Sequence, residues 1–387
     1  MKIGIIGLKS RDHLAGEETP RYLGGIETQL AVLAKGLVTR GCEVDVVTYD
    51  HGQPAEEIHD GVRTIKCYGP DAGIRLLRFI HPRYTKLLAA MKKADADVWL
   101  QMGAGLETGL TAWICRVLKR PFVFCMASDA NFGSHLTAGP MGVEGRIYQF
   151  GLNEAEVIIA QTRRQKMGLL DAARHESTIV PMAVSKPTDR RSQEEVQHVL
   201  WVGRIMPTKR LEWLIESAKL FPETVFHVVG APNANSPHAE RLMNQAGEQP
   251  NMRVHGRAPA ATLSELYSKA TVLACTSELE GFPTTFLESW SIGLPVVTTF
   301  DPDGVVAANG LGEVAEDLED FQRKLRHVLE DDSRRHEMSL RTLEYFKANH
   351  SSEEVSRRFH EMLEAVADYR ASSMPGVVDT QIGDVGS

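Results

Sequence analysis

Nowhere does this chain hold an apolar run approaching the roughly 18 residues that cross a bilayer, so the sequence predicts no membrane span. The opening stretch MKIGIIGLKS is too short for a secretory signal and has no cleavage-like site, which makes a cytoplasmic protein the expectation. Cysteine is sparse. Five are scattered through 387 residues (Cys42, Cys67, Cys115, Cys125 and Cys275), with no CxxC pair and no Cys/His cluster at metal-ligand spacing. This argues against a disulfide framework or a zinc module and suits free thiols in a reducing compartment. Excess positive charge is lacking too, since a net charge of −8 disfavours nucleic acid as the main partner. Finally, the first strand is not followed by G-x-G-x-x-G. The run reads GIIGLKSRDHLAG, with a long loop before Gly24, so NAD chemistry is disfavoured.

What is present is the composition of an ordinary soluble protein, with 43% hydrophobic and 24% charged residues, in a chain long enough for about two or three domains. Continuous β-branched runs at 2–7, 43–49, 62–68, 97–101, 121–126 and 157–161 alternate with amphipathic segments such as 26–40. Continuous rather than alternating apolar strands are those of a parallel sheet covered on both faces, and the βαβα order gives a doubly wound α/β domain. After the polar stretch SKPTDRRSQEE (185–195) the pattern restarts at 197–203, 224–230, 251–256, 271–276 and 294–299. The fold class is therefore α/β, with two Rossmann-like domains facing across a cleft. Residues 1–188 form the first domain and 189–351 the second. A last helix at about 352–370 carries Val355, Phe359, Met362, Leu363 and Val366 on one face, and a tail at 371–387 is too poor in large apolar residues to fold.

Three segments carry chemistry. GRIMPTKR (203–210) follows a strand, so Gly203 permits a sharp turn while Arg204 and Lys209 place two cations at a strand's carboxyl end, where ligands bind in open α/β sheets. A fork of donors beside a point charge suits a diphosphate, although a solvated basic turn would carry the same residues. ELEGFPTTFLESWSIGLPVV (278–297) puts Glu280 in a loop and Glu288 about one turn into a helix that opens near Pro283. Thr284 and Thr285 offer amide N–H groups there. Two unrelated surface carboxylates would look alike in the sequence. GGIETQLAVLAKGL (24–37) starts a helix at Gly24-Gly25, which allows close approach of a phosphate or simply a turn. Jointly, the three fit a phosphorylated, hydroxyl-rich ligand between the domains.

These residues resemble glycosyltransferase family 4, whose members are retaining enzymes of the GT-B fold. The shared pattern is GGIE (24–27), GRIMPTK (203–209) and EGFPTTFLESWSIGLPVV (280–297), in order and at the family's spacing, over most of the chain. The resemblance implies that Arg204 and Lys209 hold the donor diphosphate, that Glu280 binds the donor sugar and that Glu288 binds the ribose. It further implies that Gly203, Gly281, Phe282, Thr284 and Thr285 line the sugar and phosphate site, and that His255, Gly256 and Arg257 lie beside the base. Gly24 and Gly25 would close over the diphosphate, and the last helix would return to the first domain. Attack would be front-face, with a donor phosphate oxygen helping to remove the acceptor proton. No cofactor or metal is implied, and the partners are a nucleotide-sugar donor and a glycan or lipid-linked acceptor.

Two positions depart from the family. Arg210 stands where the pattern has Gly, either altering the turn or adding a cation. The first-domain segment that often supplies a catalytic-site His reads CMASDANFGSH (125–135). Ser128 and Asp129 stand near the expected place; Asp129 could position the acceptor, His135 could reach in, or Asp129 could cap the next segment. A basic, apolar stretch, IRLLRFIHPRYTKLLAAMKK (74–93), holds no acidic residue and could lie on an anionic membrane or form an ordinary basic helix face. Besides a transferase, a GT-B sugar-nucleotide epimerase and a non-catalytic sugar-nucleotide-binding protein fit the same residues.

Overall fold

The computed structural model describes residues 1–18, 20–22, 25–73, 79–127, 142–184, 196–232 and 236–373. Its strands form two sheets. The first contains β1 (Lys2–Ile6), β2 (Glu43–Thr48), β3 (Glu56–His59), β4 (Val62–Lys66), β5 (Val98–Met102), β6 (Phe122–Cys125), β7 (Val157–Ala160) and β8 (Thr178–Ile179), in the order β3-β4-β2-β1-β5-β6-β7-β8. The second contains β9 (His198–Val202), β10 (Val225–Val229), β11 (Met252–Gly256), β12 (Val272–Cys275), β13 (Val296–Thr298) and β14 (Gly312–Val314), in the order β11-β10-β9-β12-β13-β14. Every pairing is parallel except β3 with β4. The outward-growing order from β1 and from β9 reverses at β1/β5 and β9/β12, the crevices where open α/β sheets bind ligands.

Burial on both faces explains the continuous strand runs. On β5, Val98 and Leu100 face one core and Trp99 the opposite one. On β9, Val199 and Trp201 face one core while Leu200 faces the other. Three strands carry no such signal. β3 (EEIH) is a charged edge strand paired only with β4, through an Asp60-Gly61 turn in which both residues have positive φ, and such a tight hairpin needs no apolar face. β8 has two residues, and β14 three with a glycine.

The helices that place functional groups are α1 (Gly25–Thr39), α2 (Thr85–Ala94), α3 (Leu106–Leu118), α4 (Gly142–Glu154) and α5 (Arg163–Ala173) in the first domain. In the second they are α6 (Leu211–Ala218), α7 (Pro237–Glu248), α8 (Ala260–Lys269), α9 (Thr284–Trp290), α10 (Val305–Asn309), α11 (Leu318–Glu330) and α12 (Asp332–Asn349). α13 (Ser352–Ser373) then crosses back. Val355, Phe359 and Leu363 are buried in the first-domain core beside Leu30, Leu33 and Leu37 of α1. Each such side chain contributes about 1.5–3 kcal/mol when fully removed from water. Gly36 lets the two helices touch, since a methyl group there would lie 2.8 Å from Ser356 Cβ, and Arg40 Nε donates to Ser356 Oγ at 3.0 Å.

Both covalent crossings between domains are tied at one buried histidine. His350, between α12 and α13, donates from Nδ1 to the carbonyl of Met182, 2.9 Å away, just where the chain leaves the first domain. Burial holds its pKa down to about 4, the hydrogen bond to Met182 opposing and Arg358 adding to the depression. An unfolded histidine titrates near about 6.5, so the unfolded chain binds a proton that the folded chain refuses as pH falls. This contribution is whole above that pH and is lost as pH falls through about 4, a span worth roughly 3 kcal/mol. Urea melts of the wild type from pH 7 to 4.5 should therefore lose stability steeply, and those of His350→Asn less so. Parallel slopes for the two proteins would refute the assignment.

Candidate functional site

The site is assembled where loops from the carboxyl ends of β9, β10, β11 and β12 meet the first turn of α1. The loop after β9 holds its path by backbone bonds: Gly203 N–H to Val229 O at 3.0 Å, and Ile205 N–H to Ala231 O at 3.2 Å. A single tight turn, Pro207–Lys209, then delivers Lys209. Its ammonium group pairs with the Glu280 carboxylate, and each side chain is only 17% exposed. Two charges brought this far out of water stabilise one another while leaving most of their hydrogen-bonding capacity for a ligand. Arg204 is exposed and makes no hydrogen bond or ion pair among the described residues, so its guanidinium is available.

Arg210 supplies no cation to the cleft. It adopts φ +47°, the left-handed conformation that explains a glycine in the family pattern. Its Nε donates to Thr276 O at 2.8 Å and its Nη2 to Thr299 Oγ1 at 3.0 Å, and its guanidinium lies 4.2 Å over the Trp213 ring. Thr276 Oγ1 accepts from Trp201 Nε1 at 3.1 Å and donates to Lys209 O at 2.7 Å, while Glu278 N–H donates to Thr208 O at 2.8 Å. Arg210 thus clamps the lysine turn to the loop that carries Glu280.

That loop leads into α9. Thr284 and Thr285 open the helix after Pro283, and a methyl group on Gly25 would lie 3.5 Å from Thr284 Cγ2, so helix starts from both domains face each other. Phe282 packs edge-on to Trp290 at 6.1 Å and against the His350 ring at 5.2 Å, joining the loop to the interdomain crossing. Glu288 is half-buried and accepts from the Tyr267 hydroxyl at 2.7 Å. Burial raises its pKa, and the tyrosine opposes the rise. Gly281 faces Gln165 of α5 across the cleft, 4.0 Å from the place a methyl would take.

Gly256 ends β11, and its carbonyl accepts from Gly230 N–H at 2.7 Å. His255 is the exposed end of a ladder across three strands. His198 and His227 are bonded ring to ring at 2.9 Å and His227 and His255 at 3.0 Å, with ring centroids 5.2 Å apart at both steps. Burial first, then the neighbouring histidines, pushes His227 down to about 4. Arg257 is exposed beside the ladder. Gly24, Ser128, Asp129 and His135 lie outside the described residues. Among the described residues no group of three or more His, Cys, Asp or Glu side chains is placed to hold a metal ion.

Sequence reasoning missed a first-domain cavity of about 180 Å³, lined among others by Lys9, Ser10, Glu27, Tyr49, Gln101 and Glu107. It sits at the carboxyl ends of β1, β2 and β5, beside the first turn of α1. The Gln101 amide nitrogen donates to Met102 O and Gly103 O at 3.0 and 2.7 Å, so among the described residues the atom left without a partner is its oxygen, and Ser10 Oγ likewise has none there. The only hint in the sequence was the Glu of GGIE.

Residues 185–344 match the family model described as glycosyl transferases group 1, and residues 24–170 match a glycosyl transferase 4-like domain. An uncharacterized glycosyltransferase of Methanocaldococcus jannaschii is 24% identical over 313 residues, covering 73% of this chain and 78% of that protein. D-inositol 3-phosphate glycosyltransferase of Geodermatophilus obscurus is 29% identical over 209 residues, 46% of each chain. Among solved structures, sucrose-phosphate synthase from Thermosynechococcus elongatus has a TM-score of 0.73 at 17% identity, covering 95% of this chain and all (100%) of the other. Anabaena HepE, solved in complex with UDP and glucose, has a TM-score of 0.68 at 14% identity, covering 94% of this chain and 100% of the other. These two likenesses establish the fold. With both domain models matched in order, the chain belongs to the group 1 glycosyltransferases and has their GT-B fold.

Proposed function

We propose that this chain is a retaining glycosyltransferase moving a hexose-like sugar from a nucleoside-diphosphate sugar to a hydroxyl of a glycan or lipid-linked acceptor. The observation that carries this reading is the Lys209–Glu280 pair, held at the carboxyl ends of β9 and β12 opposite Gly25 of the first domain. In this reading the donor exchanges that pair for two others, with Lys209 and Arg204 on the diphosphate and Glu280 on the sugar hydroxyls. Positive charge at the leaving group then comes from side chains, which stabilise the diphosphate as the glycosidic bond breaks. Glu288 takes the ribose, and the Thr284 and Thr285 amides face the phosphates.

Neither carboxylate is set up as a glycosidase nucleophile, which supports front-face attack: Glu280 is engaged by Lys209 and Glu288 by Tyr267. The acceptor hydroxyl approaches from the first domain, where Glu27, Gln101 and Glu107 line the cavity with hydroxyl ligands. Its proton passes to a phosphate oxygen of the departing nucleotide. Matched families and relatives are transferases, and nothing in them supports the epimerase. A lipid-linked acceptor would bring the chain to an anionic membrane. Exposed Lys86 and Lys92 and the 62%-exposed Ile80 favour that contact, whereas Leu87, Ala90 and Met91 are committed to the core. Among the described residues no helix is long and apolar enough to cross a membrane.

Thermal melts against a panel of nucleoside diphosphates and their sugar conjugates test the donor site, with UDP sugars first because HepE was solved with UDP. A ligand at about 100 times its dissociation constant adds roughly 2.7 kcal/mol. One base should raise the melting temperature of the wild type and leave Glu288→Ala unmoved. No shift with any nucleotide would overturn the proposal.

A further inference from the structure

A chain of three buried glutamines ends in the cleft. Gln29 of α1, Gln161 at the end of β7 and Gln165 in the first turn of α5 are 7%, 6% and 0% exposed. Gln161 Nε2 donates to Gln29 Oε1 at 3.3 Å, and Gln161 backbone N–H donates to Gln165 Oε1 at 2.9 Å. Thr162 caps α5 by accepting from Gln165 N–H at 3.0 Å, which fixes the side chain's root. Because a backbone N–H can only donate, the atom it meets on Gln165 must be the oxygen, and the amide cannot be turned over. The other end, Nε2, is therefore an NH2 group, and it has no hydrogen-bond partner among the described residues. It lies 4.0 Å from where a methyl on Gly281, in the second-domain loop between β12 and α9, would stand.

Buried donors in folded proteins are almost always paired, so a rigidly held one without a partner marks the place of an absent acceptor atom. Gly281 directly follows Glu280, and apart from its chain neighbours the Gln165 amide is the group within 4.0 Å of where a methyl on it would stand. An NH2 group carries no charge and donates only, so it cannot neutralise a diphosphate, for which Lys209 and Arg204 are already placed. It suits a neutral oxygen that can also give a proton to a carboxylate, which is a sugar hydroxyl.

We infer that Gln165 is a specificity-determining residue that reads a hydroxyl of the transferred sugar from the first domain, opposite Glu280. This rests on the donor-site reading above. A hydroxyl donating to Glu280 and accepting from Gln165 is recognised in both of its roles, and its position on the ring is selected only when the two domains are together.

The test compares binding of one sugar nucleotide and the matching nucleoside diphosphate by calorimetry, for wild type, Gln165→Glu and Gly281→Ala. Gln165→Glu keeps the oxygen that Gln161 needs and removes the donor, while Gly281→Ala sets a methyl in ordinary contact with the amide and shades it. Both should bind the sugar nucleotide roughly threefold to tenfold more weakly, the loss of one neutral hydrogen bond, with nucleoside diphosphate affinity unchanged. A deoxy-sugar nucleotide lacking the hydroxyl read by Gln165 should bind wild type and Gln165→Glu alike. Equal losses for sugar nucleotide and nucleoside diphosphate would overturn the inference, as would no loss at all. If Gln165→Glu fails to fold, Gly281→Ala alone decides by the same comparison. Failure of the wild type to bind any nucleotide would instead bring down the donor-site reading, and this inference with it.

Discussion

Lys209→Ala should lower kcat by about two to three orders of magnitude, the usual loss when one fixed donor to a developing anion is removed. The ammonium reaches the cleft from a tight turn whose position is set by Arg210, Thr276 and Trp201, so its charge is already oriented before the donor binds. Little reorganisation is then needed as negative charge grows on the departing diphosphate. Arg204 alone cannot replace it, being exposed and unclamped. The alanine also strands Glu280, so a fold control is needed. Lys209→Met with Glu280→Gln removes both charges and should melt near the wild-type temperature while staying inactive. Arg210→Gly tests the clamp: it relieves the left-handed backbone but removes the bonds to Thr276 O and Thr299 Oγ1 that fix the lysine turn, so it should lower kcat, by less than Lys209→Ala because the ammonium itself remains. Initial rates of nucleoside diphosphate release, with and without acceptor, decide the matter. Lys209→Ala activity within tenfold of wild type would sink the role given to the lysine.

The fold was legible wherever burial on both sides wrote a continuous apolar run. It was illegible at β3, β8 and β14, where an edge position, or a length of two or three residues, leaves no such run. The return of α13 was legible as a stripe needing a groove, because Val355, Phe359 and Leu363 repeat at helical spacing. In the site, charged groups at strand ends could be paired by motif spacing, and the structure brings Lys209 and Glu280 into contact. What Arg210 does could not be read, since a cation in a turn looks the same whether it faces the cleft or a tryptophan. The three glutamines were invisible for a related reason: they lie on α1, at the end of β7 and on α5, and only the sheet order makes them neighbours. The histidine ladder likewise joins residues from strands whose adjacency is topological.

Gly230→Ala should be the most damaging single methyl in the second domain. The strands β9, β10 and β11 end in WVG, VVG and VHG, and the sequence drew attention only to the first and last of these glycines. Gly230 stands between them. Its φ of +149° belongs to a region that side chains rarely enter, and a methyl there would lie 1.8 Å from Gly203 O. That oxygen is backbone and cannot swing aside. Its neighbour Gly203 N–H is tied to Val229 O at 3.0 Å, and Gly230 N–H is tied to Gly256 O at 2.7 Å. The three strand ends are thus stacked backbone on backbone, and the Arg204–Lys209 loop departs from the top of that stack. A strained backbone costs about 1–3 kcal/mol and an overpacked core about the same, so Gly230→Ala should lose roughly 3–5 kcal/mol. Nucleotide binding should fall with it, because the only relief is to lift Gly203 and carry Arg204 and Lys209 away from Glu280. Urea melts measure the first effect, and nucleotide titration of whatever folded fraction survives at low temperature measures the second. A variant with wild-type stability would show that the glycine is a convenience of this turn. A destabilised variant that still binds nucleotide at full affinity would uncouple the strand stack from the donor loop and place the rigidity of the lysine turn wholly in the Arg210 clamp.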